Sequence, residues 1–124
     1  MPVRKVDITE EDRFFTNADK LLQFHIFQAD GVTAQNITGW ALSWVLKRRH
    51  KDADASALVT KTTGGGTISL TAPLTGDCEL TVTDENTALM QSGLYWHELK
   101  RTDAGAETPL LEGTVVLLQS LHIT

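Results

Sequence analysis

The residues of this chain that are able to carry chemistry are few and scattered. Four histidines, His25, His50, His97 and His122, stand far apart, with neither His-x-His nor His-x-x-x-His spacing. Zinc needs three or four converging ligands, and the single cysteine, Cys78, adds little to that supply. His25 and His97 could meet across paired strands, although a lone strand histidine is usually just packed or hydrogen-bonded. Cys78 alternates with Leu80 and Val82. Its thiol is therefore expected in the core, where it is inert and acts as a small hydrophobe. Ser92 precedes Gly93 without the Gly-x-Ser-x-Gly elbow of a hydrolase. Gly64-Gly65-Gly66 lacks the lysine and the helix that a phosphate cradle needs, and reads as a hairpin turn. Asp52-Ala53-Asp54 opens like a calcium loop, but Ala57 and Thr63 stand where that loop requires Gly and Glu. The acidic pairs Glu10-Glu11 and Asp84-Glu85 fall on turns, where they solubilise or cap. The expectation is a chain with no catalytic residue, no cofactor and no metal.

Recognition by contact is a different matter. Phe14 and Phe15 lie in a polar segment outside the clear strands, which makes them candidate partner-binding anchors. Trp96 is the third candidate. If Tyr95 faces the core, Trp96 faces the opposite sheet surface. An exposed tryptophan between polar neighbours marks a protein or sugar contact. The alternative is that the N-terminal arm covers it, through Phe14 or Phe15.

These residues need elements to position them. Trp40, Leu42, Trp44 and Leu46 share one strand face after the Asn-Ile-Thr-Gly turn at 36–39. Such a strand belongs at the centre of a β core. Leu22, Phe24 and Ile26 alternate, as do Cys78, Leu80 and Val82, and Tyr95, His97 and Leu99. Ala57 to Thr62 and Thr67 to Thr71 read as strands forming a hairpin around the glycines. A turn at Thr102 to Gly105 leads to Glu107–Glu112 and to a last strand at Thr114–Leu118, with Gln119 to Thr124 as a tail. Asp84 to Ser92 reads as a short helical piece capped by Asp84. Thr9 to Lys20 is open between a helix and an extended arm across a core edge. Seven or eight short strands at about ten-residue spacing predict an antiparallel β-sandwich. The 124 residues form one domain with an N-terminal arm over about 1–20.

Composition narrows the partners. The net charge is −5, against the basic face that nucleic acid or an anionic membrane requires. Lys47-Arg48-Arg49-His50-Lys51 reads as the solvated end of a strand. One cysteine permits no internal disulfide, as in proteins made in the cytoplasm. No signal peptide and no spanning run is visible. Asn36-Ile37-Thr38 matches a glycosylation acceptor, which means little without secretion.

One resemblance goes further. The frame Asn36-Ile37-Thr38-Gly39-Trp40, then Gly65-Gly66-Thr67-Ile68, then Asp84, Thr87, Ala88 and Leu89, then Gly93-Leu94-Tyr95 resembles structural modules of tailed bacteriophages. It is similar above all to the immunoglobulin-like N-terminal domain of baseplate upper proteins, over roughly Ile8 to Leu118. Small stand-alone head and tail proteins share the pattern. The resemblance implies an immunoglobulin-like β-sandwich and a non-enzymatic virion protein made in the host cytoplasm. Baseplate upper proteins continue into further domains, whereas this sequence stops at Thr124. A capsid decoration (cement) protein on the head lattice is therefore expected first. A tail or baseplate adaptor comes second, and a carbohydrate-binding module third. The expected partners are other virion proteins, either the major capsid protein or tail and baseplate proteins, with homo-oligomers as a further possibility. The N-terminal segment and one sheet face or edge are expected to make the contacts, with both chain ends held in place.

Overall fold

The computed structural model describes residues 4–53, 56–103 and 108–119. It contains β1 (Arg4–Lys5), β2 (Lys20–His25), β3 (Leu42–Lys47), β4 (Val59–Thr62), β5 (Ile68–Ala72), β6 (Asp77–Val82), α1 (Asp84–Thr87), β7 (Gly93–Arg101) and β8 (Thr108–Leu117). A five-stranded sheet runs β1-β8-β7-β3-β4 and faces a three-stranded sheet β2-β6-β5. All pairs are antiparallel except β1 with β8. The second, sixth and fifth strands share one sheet, and the third, seventh and eighth share the other. That is the immunoglobulin-like arrangement.

Alternation drives the sandwich shut. Leu42, Trp44 and Leu46 of β3, Tyr95, His97 and Leu99 of β7, and Leu111, Val115 and Leu117 of β8 are all buried. Leu22 and Phe24 of β2, Ile68 of β5 and Cys78, Leu80 and Val82 of β6 complete one continuous cluster. Trp44 is fully buried, as its spacing predicts. Trp40 lies just ahead of β3 and only lines this core, with the Arg101 guanidinium 3.9 Å from its ring centre.

The connections depart from expectation in three places. The Gly64–Gly66 turn is not a hairpin, because β4 pairs with β3 while β5 pairs with β6. Thr67 N–H still donates to the Thr62 carbonyl at 2.9 Å, but the chain then leaves for the other sheet. The short helix α1 is capped by Thr83 rather than Asp84, and the Asn86 side chain accepts from Thr83 N–H at 2.8 Å. The segment from Thr114 to Leu118 is not a separate strand either, since β8 runs unbroken from Thr108 to Leu117. The expected turn at Thr102 to Gly105 and the tail after Gln119 lie largely outside the described residues, as do the chain ends.

The N-terminal segment takes the extended alternative, with one 3-10 turn, and is built into the sandwich. Arg4 and Lys5 pair with Leu111 and Glu112, Ile8 bridges Val115, and Phe15 bridges Leu118, all in parallel. A single turn of 3-10 helix at Glu10–Asp12 interrupts the run and ends at Arg13, whose φ is 55°.

Candidate contact face and polar clusters

Phe14 and Phe15 separate at once. Phe14 has 0% exposure and belongs to the central cluster. It is a core residue and not the exposed anchor expected of it. A polar segment can hide such a residue because the chain here runs along a sheet edge, with one side chain turned inward. Phe15 is half-buried, with the Arg13 guanidinium 5.5 Å from its ring centre.

Trp96 lies on the outer face of the five-stranded sheet, opposite Lys47 and Thr114 in register. It is half-buried. Phe14, in the core, does not cover it. Its ring neighbour is His50, edge-on at 5.1 Å. Lys47, His50, Glu98 and Glu112 surround it in one small cavity. The Glu98 and Glu112 positions face each other across β7 and β8. Like charges so placed repel, but each has a partner: Lys100 Nζ is 3.8 Å from Glu98, and His50 Nε2 is 3.3 Å from Glu112. Two positions from Trp96, Leu94 is 57% exposed and pairs with Val116. The outer face therefore offers an apolar strip, Leu94, Val116 and Trp96, beside a balanced polar group. The basic run is only partly solvated. Arg48, Arg49 and His50 are exposed, whereas Lys47 is buried along the sheet.

The histidines do not converge. His25 sits on the three-stranded sheet and His97 on the inner face of the other, so the meeting across paired strands does not occur. Phe24, not His25, reaches His97, stacked at 6.0 Å. His25 Nδ1 is 2.5 Å from Asp77, which also accepts from the Thr75 hydroxyl at 2.8 Å. Those two bonds, the His25 one first, hold the Asp77 carboxyl below its usual range. The pair borders a shallow groove of about 340 Å³. Cys78 behind it is 1% exposed, and burial pushes its thiol up to about 11, which makes it unreactive. Among the described residues no three His, Cys, Asp or Glu side chains gather closely enough to hold a metal ion. The calcium-like stretch is partly outside the described residues. Within it, Asp52 accepts a turn bond from Arg49 N–H at 3.3 Å. No described helix is long and apolar enough to cross a membrane.

His97 is the polar residue that reading the sequence undervalued. It is 2% exposed. The Trp44 indole N–H donates to its Nδ1 at 3.0 Å, and its Nε2 lies 2.6 Å from the Val6 carbonyl oxygen. An indole nitrogen only donates and a carbonyl only accepts. The ring is therefore neutral, with its hydrogen on Nε2. Gly113 lies opposite His97 on β8. A β-carbon there would sit 2.0 Å from the Val6 oxygen, so the bare glycine lets the N-terminal segment cross over β8 to meet the imidazole. The available signal was Gly-Leu-Tyr-x-His. Tyr95 Oη donates to the Gln91 carbonyl at 2.7 Å, forming the tyrosine corner of immunoglobulin-like domains.

No protein-family model matches this chain, and no curated protein matches it significantly.

Proposed function

We propose that this protein is a non-enzymatic virion component of a tailed bacteriophage, a decoration protein seated on the head lattice. The observation that carries the reading is where the family-like residues fall. Ile37 is fully buried in the β2–β3 loop, Gly65 and Gly66 turn the chain between sheets, and Gly93-Leu94-Tyr95 opens β7 into the tyrosine corner. Each serves the frame of a small sandwich, as the resemblance implies for an assembly module. A tail or baseplate adaptor is the second reading, supported by the same residues. On either reading the partner is another virion protein, and the contact face is the outer sheet surface bearing Leu94 and Trp96. The N-terminal arm is not the anchor in this reading, because Ile8 and Phe14 are core residues.

The test is purification of particles from the phage that encodes the chain, followed by mass spectrometry and cryo-EM reconstruction. Sandwich-shaped density repeated over the head supports decoration. Density confined to the tail supports the adaptor. Particles that lack the protein overturn both.

A further inference from the structure

The His97 imidazole joins the core to the N-terminal edge: Nδ1 accepts from Trp44 only while the ring is neutral, whereas Nε2–H donates to the Val6 carbonyl in either state. We propose that protonation of His97 releases the segment Arg4–Ile8 from the edge of β8, with the turn at Thr9–Arg13 as hinge and Phe14 as the fixed point. A second proton on the ring must go to Nδ1, which faces the Trp44 N–H across 3.0 Å. Two donors then oppose each other where Trp44 is 0% and His97 2% exposed. Burying an unpaired donor is costly, and a charged one more so.

The charged ring has one way out. Phe24 and Trp44 pack against it from β2 and β3. On the β8 side it meets Gly113 and, above that, the backbone of Val6. The carboxylate of Asp7 lies on that side. Asp7 is held by Thr114 N–H and hydroxyl at 3.0 and 3.1 Å, and it attracts an imidazolium. From the outer sheet face Lys47, His50, Glu98 and Glu112 border the same cavity as His97. The ties to be broken are the packing of the Ile8 side chain, 5% exposed, and a short set of hydrogen bonds. Val6 and Ile8 N–H donate to Glu112 and Thr114 carbonyls, each at 2.8 Å, and Val116 N–H donates to the Ile8 carbonyl at 2.8 Å. Phe14, fully buried, and its carbonyl bond from Leu118 N–H stay in place. Edge segments open locally well before cores unfold.

The direction with pH follows. Burial, the largest effect, holds the His97 ring below the usual imidazole range, while the Val6 carbonyl and Asp7 act the other way. The released state binds the proton more readily than the closed one. Closure is therefore fully favoured above about pH 6.5, the free imidazole value, and is lost as pH falls from there through the lowered closed-state value.

Hydrogen–deuterium exchange across pH 7 to 5, corrected for intrinsic rates, tests this. The Val6 and Ile8 amides should lose protection several-fold or more on acidification, while Trp44 and Leu99 amides stay protected. His97→Gln offers an oxygen to Trp44 and an N–H to Val6 without titrating, so its N-terminal protection should not depend on pH. His50→Gln should leave the transition in place. The proposal is overturned if Val6 and Ile8 open only together with Trp44 and Leu99, or if His97→Gln keeps the transition. Should His97→Gln fail to fold, NMR titration of the wild-type ring replaces it. Protonation of His97 that does not coincide with N-terminal opening overturns the proposal equally.

Discussion

Residue identity at three sites sets the character of this core. Antibody-type domains join their sheets with a disulfide, packed on a tryptophan of the third strand, with a corner tyrosine two residues before the second cysteine. Here Trp44 and Tyr95 hold the corresponding places, and the residue two beyond Tyr95 is His97, stacked on Phe24 of β2. An aromatic pair stands where the disulfide would be, which suits a chain with one cysteine. Trp44→Ala should cost about 3–5 kcal/mol, as large aromatic truncations in cores do. Trp44→Phe keeps the bulk but leaves Nδ1 of His97 without its donor, and should cost about 1–3 kcal/mol. Urea denaturation measures both, and an unchanged midpoint for Trp44→Ala would refute the first. Cys78, with its thiol pushed up to about 11 and only 1% exposed, should resist thiol reagents at pH 8 until the protein is unfolded. Labelling of the native protein at the rate of a free thiol would show that the core admits reagent.

Elements were legible in the sequence where alternation ran for three or more residues. The inward sets of β3, β6 and β7 are those that strict period-two spacing predicts. Pairing was less legible, because a glycine turn closes a hairpin and a sheet-to-sheet corner with the same residues. The Gly64–Gly66 corner shows this, with β4 and β5 on different sheets. The N-terminal segment was the least legible. It has no alternation of its own, and parallel pairing to β8 depends on residues about a hundred positions away. The candidate site suffered similarly: Phe14 looked exposed because its neighbours are polar, and His97 looked ordinary because its partners, Trp44 and Val6, are distant in sequence. Two predictions belong to this scale. Gly113→Ala places a β-carbon 2.0 Å from the Val6 oxygen. It should destabilise by about 1–3 kcal/mol, in the range of overpacked cores, and should raise exchange at Val6 and Ile8. A thermal melt and exchange profile like wild type would show that the crossing is looser than this. Deleting Met1 to Asp12 removes buried Ile8 and the acceptor of His97. The sandwich should then melt at a markedly lower temperature, rather than folding unharmed as a free arm would allow.

Under the virion role proposed above, the question for the whole molecule is which face meets a neighbour. Besides the separate exposed leucines Leu21, Leu58 and Leu89, two regions of the described residues present apolar side chains. One is the outer sheet face, with Leu94 57% exposed beside half-buried Trp96. The other is the end where the β2–β3 loop and the Pro73–Thr75 turn meet, with Val32 79% and Leu74 72% exposed; Ile37 N–H joins the two by donating to the Pro73 carbonyl at 2.8 Å. A sheet face has the advantage of rigidity, since Trp96 is set by pairing on both sides of β7 and Leu94 by pairing with β8. Less order is then lost on docking. It also joins an aromatic residue to a rim of paired charges, the composition of an interface centre. On a lattice, many weak copies of such a contact suffice. Leu94→Asp with Trp96→Gln should therefore cut occupancy on particles at least about tenfold, since losing such an anchor costs above about 1.4 kcal/mol. Circular dichroism should still report a folded sandwich, because both side chains lie outside the core. Leu74→Asp should leave occupancy unchanged. Binding of each variant to particles stripped of the protein, read by sedimentation, separates the cases. Normal loading of the double variant would remove the sheet face from consideration, and loss of loading in Leu74→Asp alone would move the contact to the loop end.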